Sequence, residues 1–283
     1  MSNVDTPSAS LSRRSSSPVS HPLPLYRVRA KNTAPDSENK IHDDRVAAEY
    51  GFRGGLVPGV TVYGYMTVPI VDSEPAWLER GSMHVRFLEP VYDGEEIVVR
   101  AEANEDGSMD VLAEREDGTV CAKGHASTEA RSGHVGKWYA EHPLPSADRR
   151  PVPSPENLIV HSPLGTVVER LSLFDGPFLE VRSERLPIYH GSNPPAHPAR
   201  LLQFCNEILV RNFQLGPWIH VASEINNWSV AWNDEVISAR GLIHDRFERK
   251  GHEFVVVDVM LIANAERLVQ TVRHTAIYRP RTS

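Results

Sequence analysis

The sequence predicts an α+β chain of two units, each a long central helix packed on a curved antiparallel sheet. Three observations carry this reading. Each half holds one apolar helical run, Gly59 to Val71 and Pro198 to Phe213. Each run is followed by strand-like segments separated by Asn, Asp and Gly turns. A Pro-rich, polar connector over 132–156 lies between two stretches that repeat this order with a period of roughly 140 residues.

In the first unit, 22–131, Leu23 to Ala30 alternates as a strand and Arg45 to Tyr50 is a short helix ended by Gly51. Gly59 to Val71 is apolar on all sides, which suits a buried helix, and Pro69 falls near its end. Ser73 can cap a further turn that reaches Arg80. Ser82 to Leu88, Glu95 to Ala103, Ser108 to Arg115 and Thr119 to Thr128 then form a meander, with turns at Asn104–Gly107 and Glu116–Gly118.

The second unit, 157–283, offers strands at Gly165 to Leu171 and Phe178 to Leu186. Its helix is the clearest in the chain: Pro198 suits a first turn, and Leu201, Leu202, Cys205, Ile208 and Leu209 make one stripe. Long strands follow at Trp218 to Trp232, Glu235 to Lys250, Glu253 to Ala263 and Arg267 to Tyr278. Pairing the two sheets edge to edge would satisfy their open strands.

At 283 residues the chain has room for two domains of roughly 100 to 150 residues. A net charge of −7 gives no footprint for nucleic acid or an anionic membrane. No apolar run approaches the roughly 18 residues that span a bilayer. Cys121 and Cys205 are far apart, show no metal or redox spacing, and read as buried thiols in a reducing, cytoplasmic setting. Residues 1–21, rich in Ser and Pro with Arg13-Arg14-Ser15, lack the apolar core of a secretory signal and read as a disordered tail.

The site-like stretch lies at 39–69. Asn39-Lys40-Ile41-His42-Asp43-Asp44 is a polar turn, Gly51-Phe52 a break, and Gly55-Leu56-Val57-Pro58-Gly59 the entry to the apolar helix. This order puts an imidazole near a helix N-terminus, where free N–H groups can stabilise a carbonyl oxygen that gains charge. His42 is the acid/base candidate; its plain alternative is a helix-entry histidine bound to backbone. Asp43 and Asp44 suit a helix N-terminus, and Asn39 either holds the loop or contacts a substrate carbonyl. Gly59 permits close backbone approach.

These residues resemble the active-site stretch of MaoC-like hydratases and dehydratases, which have the hotdog fold. The family pattern Asp-x-Asn-Pro-x-His-x-Asp, followed by Gly-Phe and a His-Gly helix entry, is matched at Asn39, His42, Asp44, Gly51, Phe52 and Gly59. It is departed from at Ser37 (family Asp), Lys40 (family Pro) and Pro58 (family His). The match covers about a quarter of the chain at most and is of moderate specificity. Val85 to Glu95, with its Phe87-Leu88-Glu89-Pro90-Val91 turn, is similar to the strand that follows in such folds. With helix-end physics, the resemblance implies Val60 N–H as the oxyanion donor.

The resemblance implies an acyl-thioester substrate, CoA- or carrier-borne, and reversible hydration of a 2-enoyl thioester. His42 would be the acid/base, Asp36 the carboxylate partner in place of Ser37, and Asn39, Gly59 and Val60 the substrate-binding groups. No metal or redox cofactor is needed for this chemistry. A hotdog thioesterase using Glu207 to activate water is the alternative, and a non-catalytic acyl-thioester binder the third reading. The implied partner is a small-molecule thioester, with neither nucleic acid nor membrane, and a homodimer is left open. His190 to His197 precedes the second helix and reads as a structural loop, and His220, His244, His252 and His274 are scattered without ligand spacing.

Overall fold

The computed structural model describes residues 21–129, 136–172, 179 and 184–281. The first half runs β1 (His21–Pro22), β2 (Tyr26–Arg29), a 3-10 turn at Lys40–His42, α1 (Asp44–Glu49), α2 (Gly59–Ser73) and α3 (Trp77–Arg80). Four strands complete it: β3 (Ser82–Phe87), β4 (Glu96–Ala103), β5 (Ser108–Arg115) and β6 (Val120–Ser127). The second half runs β7 (Val167–Arg170), a 3-10 turn at Pro187–Tyr189 and α4 (Pro198–Asn212). It ends in β8 (Ile219–Asn227), β9 (Val236–Arg249), β10 (His252–Ala263) and β11 (Arg267–Arg279).

The eleven strands of the described residues belong to one sheet, in the order β1-β4-β5-β6-β3-β8-β11-β10-β9-β7, with β2 also on β4. Every pairing is antiparallel. The halves meet where β3 pairs with β8, Met83 opposite Ile225 and Val85 opposite Ser223. Hydrogen bonds across that seam satisfy the two edges that would otherwise lie open.

The helix on each half is 15 residues long. α2 is buried from Val60 to Val71, as its all-round apolar sequence requires. α4 is amphipathic and buries the stripe of Leu201, Leu202, Cys205, Ile208 and Leu209. The two helices touch at small residues: a Cβ added to Gly64 would stand 3.1 Å from Ala199 Cβ.

Several boundaries move. Ser73 is the last residue of α2 rather than a cap, and Ala76 precedes α3. Pro69 therefore lies inside the helix, which continues for a further turn beyond it. His21, expected in the tail, pairs with Ala103; the rest of the tail lies outside the described residues. So does most of the strand expected at Phe178 to Leu186. The connector is described from residue 136 and is tied to the second half: Arg240 donates to Tyr139 O (3.2 Å), Gln214 N–H to Pro151 O (2.9 Å) and Arg279 to Pro153 O (3.2 Å).

The halves repeat a set of backbone bonds. Val57 N–H donates to Val91 O and Ala196 N–H to Ala231 O, each at 2.8 Å. Gly94 N–H donates to Ala30 O (2.8 Å) and Asp234 N–H to Leu171 O (2.9 Å). Tyr92 N–H is held by Glu95 Oε2 and Trp232 N–H by Glu235 Oε2. These counterparts lie about 140 residues apart, so the repeat read from element order is a repeat of detailed geometry.

Candidate functional site

The loop ahead of α1 is built around Asn39, a buried residue whose amide spans two halves of the chain. Its Oδ1 accepts from Trp218 N–H (3.1 Å) and from Ile41 N–H (3.4 Å), while Nδ2 donates to Trp218 O (3.0 Å). The loop role is therefore filled: Asn39 clamps the segment entering β8 to the turn that carries His42. Asn39→Leu is expected to cost roughly 2 to 4 kcal/mol in urea unfolding, because it strands both backbone groups of Trp218. A loss below about 0.5 kcal/mol would mean that water replaces the clamp.

His42 has a defined tautomer. Its Nδ1 lies 2.6 Å from Leu56 O, and a carbonyl can only accept, so Nδ1 carries the proton. Nε2 then holds the lone pair, 3.3 Å from Asn39 Nδ2. Burial pushes the His42 pKa down against the opposing pull of the Leu56 carbonyl, which keeps the ring neutral near pH 7. Asp43 caps α1 by accepting from Val46 N–H (3.0 Å), and Asp44 holds Gly55 N–H (2.7 Å). Both carboxylates are structural.

Pro58 stands at the N-cap of α2 and contributes no N–H. Its carbonyl accepts from Thr61 (2.9 Å) and Val62 (3.2 Å), leaving the N–H groups of Gly59 and Val60 without an intrahelical acceptor. His42, Pro58 and Gly59 line a cavity of about 240 Å³. Its walls are otherwise largely apolar, with Phe52, Val62, Phe87 and Ile277 among them.

The second half supplies the facing polar groups, Asn206 from α4 and Trp218 and His220 from β8 and its entry. His220 is buried, with its ring 4.7 Å from Phe87 and 4.1 Å from His274. His220 Nε2 is 2.8 Å from Ser223 Oγ, which is 3.0 Å from His274 Nδ1. Burial holds both rings neutral, His220 well below its ordinary value and His274 at about 3. Asn206 Oδ1, Trp218 Nε1 and His220 Nδ1 are buried with no hydrogen-bond partner among the described residues.

The expected site residues fall in different places. His42, Asn39 and Gly59 line the cavity. Val60 is buried one residue further into α2. Asp36 is exposed and is not a lining residue, so the carboxylate expected beside His42 is absent from the cavity. The reason is local: Ser37 Oγ donates back to Asn39 O (3.2 Å), which folds the loop on itself and leaves Asp36 outside. Glu207 also lies off the lining. It pairs with Arg200 (3.2 Å), which also binds Glu169, and its pKa is raised by burial despite Arg200. Glu89, exposed, is the one carboxylate on the lining among the described residues. No group of three or more His, Cys, Asp or Glu among them could hold a metal ion.

The counterpart position in the second half is closed. His197 is the N-cap of α4, the place Pro58 holds on α2. Its Nδ1 accepts from Ala199 N–H (3.1 Å) and its Nε2 is 3.0 Å from Glu184 Oε2. Glu184 Oε1 accepts from the N–H groups of Arg185 (2.8 Å) and Leu186 (2.7 Å). Burial would raise the Glu184 pKa, but the hydrogen bond from His197 and the two N–H groups outweigh it, and the carboxyl stays ionised. Both side chains are buried and committed, in keeping with the structural loop expected there.

No family model matches the chain, and no curated protein matches it. Solved structures do. One is a protein provisionally named a MaoC domain protein dehydratase from Chloroflexus aurantiacus: TM-score 0.65, 9% identity, 93% of this chain and 95% of the other covered. A conserved hypothetical protein from Mycobacterium tuberculosis with a double hotdog fold aligns at TM-score 0.63 and 12% identity, covering 90% and 96%. A protein provisionally named an oleoyl thioesterase from Lactobacillus plantarum aligns at TM-score 0.50 and 8% identity, covering 93% and 98%. At these identities the likeness is one of fold. The chain has the double hotdog architecture, and MaoC-like dehydratases are among its structural neighbours. No helix among the described residues is long and apolar enough to cross a membrane.

Proposed function

We propose that the chain hydrates 2-enoyl thioesters, or dehydrates their 3-hydroxy counterparts, with His42 as the only acid/base. The observation that supports this is the unprotonated Nε2 of His42, oriented by Asn39 Nδ2 at 3.3 Å, in one cavity with the N-terminus of α2. His42 Nε2 takes a proton from water as the water oxygen bonds to C3. The π electrons of the C2=C3 bond move through C2 to the thioester oxygen, which the N–H groups of Gly59 and Val60 stabilise. The enolate then collapses, and C2 receives the proton held on His42. Atoms and charge balance without a carboxylate, so the chemistry does not depend on Asp36. A single base on one side of the substrate adds both hydrogen and hydroxyl to the same face.

The thioesterase reading keeps the cavity and changes the reaction. It is favoured by the oleoyl-thioesterase-like neighbour and weakened by the position of Glu207, which Arg200 holds away from the cavity. One assay separates the two. Absorbance of the enoyl-thioester band and release of free thiol are followed together with short and medium 2-enoyl-CoA esters. Loss of the band without thiol is the expected result. Thiol release would replace hydration with hydrolysis. Silence in both channels, with saturable acyl-CoA binding, would leave a non-catalytic binder.

A further inference from the structure

We propose that His220 contacts the substrate, its Nδ1–H joining the N–H groups of Gly59 and Val60 on the thioester oxygen. The inference rests on the acyl-thioester reading above and adds a residue from the other half of the chain. Four observations carry it.

His220 lines the cavity, is buried, and its Nδ1 has no hydrogen-bond partner among the described residues. Nδ1 also lies against the start of α2: a Cβ on Gly59 would be 2.8 Å from it. The unpaired nitrogen therefore lies beside the start of α2, whose first N–H groups have no intrahelical acceptor. A polar atom left unpaired in such a place is costly unless a ligand pairs it.

The hydrogen-bonded chain behind the ring decides which nitrogen carries the proton. Ser223 has one hydroxyl proton to share between His220 Nε2 and His274 Nδ1. If Ser223 donates to His274, then His274 Nε2–H is a buried donor with no acceptor. If Ser223 donates to His220, then His274 Nδ1–H donates to Ser223, and His274 Nε2 is a buried lone pair. Each arrangement leaves one unpaired donor and one unpaired acceptor, but His220 Nδ1 faces the cavity, where a ligand oxygen can accept, whereas His274 Nε2 is off the lining, so the donor is better placed on His220. The second arrangement puts the proton on His220 Nδ1, facing Gly59.

The ring is also held in place. Phe87 packs edge-to-face with it, His274 lies against it at a 30° tilt, and Asn39 fixes the backbone of Trp218 two residues earlier. Asn39 is the residue that contacts His42 Nε2, so one amide sets the base from one half against the donor from the other. A neutral donor suits a dry pocket: it meets the growing charge on the oxygen without itself needing a counter-ion.

The test uses butyryl-CoA labelled with 13C at the carbonyl, a saturated ester that cannot be hydrated, bound to the full chain. Difference infrared spectroscopy reads the carbonyl stretch in wild type, His220→Phe, His220→Gln and Ser223→Ala, each checked for native unfolding. Wild type should move the band to lower frequency. His220→Phe should lose a third or more of that displacement, and His220→Gln, which keeps a donor, should recover part of it. With a hydratable enoyl ester, His220→Phe should lower kcat by about 10²–10³ with KM changed far less. An undiminished displacement in His220→Phe, with butyryl-CoA still bound, would overturn the inference alone. A displacement that depends on His220 in a protein that hydrates nothing would uphold it and remove the hydratase reading. Absence of saturable butyryl-CoA binding to wild type would remove both.

Discussion

His42→Ala is expected to lower kcat/KM for a short 2-enoyl-CoA by about 10²- to 10⁴-fold, the usual worth of a positioned general base. The loss should appear in kcat rather than KM, because Nε2 acts on the attacking water and contributes little to binding the acyl chain. Its pH profile carries a second expectation. The ring must be unprotonated to act, and burial lowers its pKa below the ordinary 6.5. The acid limb of kcat/KM should therefore lie below pH 6.5, with the rate held through neutrality and falling as pH drops through the lowered value. Enoyl absorbance measured from pH 4.5 to 8 checks both points. A variant that keeps wild-type turnover, or an acid limb at or above pH 6.5, would remove His42 from the chemistry.

The folded chain should lose stability in acid, and His274 contributes to that loss. In the folded state its pKa is about 3, against 6.5 for an unperturbed histidine. Between those values the unfolded chain binds a proton that the folded chain refuses. The stabilisation is complete above pH 6.5 and is lost as pH falls toward 3, at about 1.4 kcal/mol per pH unit. Over the whole window this is on the order of 5 kcal/mol, comparable to the net stability of many domains. His220, also held low by burial, acts in the same direction. Urea unfolding at pH 7.5 and pH 4.5 gives the measurement. His274→Leu should remove a pH-dependent loss of roughly 2 to 3 kcal/mol that wild type shows over that range. Equal losses in the two proteins would assign the acid sensitivity elsewhere.

Much of the sheet was legible because its code is local. Period-two alternation and Asp-Gly turns located β3 to β6 within about two residues, and the positive φ of Gly107 (78°) and Gly118 (83°) is what those turns demand. The candidate site was half legible. His42, Asn39 and Gly59 belong to one short motif, so sequence spacing could bring them together. Their partners could not be found that way. Trp218 reaches Asn39 across 179 positions, and His220 and His274 meet through strand register, Ser223 lying opposite His274. Nothing in the spacing of those residues encodes a shared wall. Asp36 failed for the opposite reason. It could serve only if the loop were shifted by one residue, and the Ser37–Asn39 bond holds that loop with Asp36 exposed.

The seam between β3 and β8 has a consequence for how this protein can change. Two identical subunits would carry every substitution twice, so an alteration that helped one site would be imposed on the other. Here the copies are tandem, and each mutation is private to one of them. Pro58 and His197 occupy the same N-cap place, yet one opens onto a cavity and the other is bound to Glu184 as a buried brace. That asymmetry is open only to a chain with two separately mutable copies. One half can give up reactivity for rigidity while lending His220 to the other's wall, a division of labour no symmetric pair could inherit.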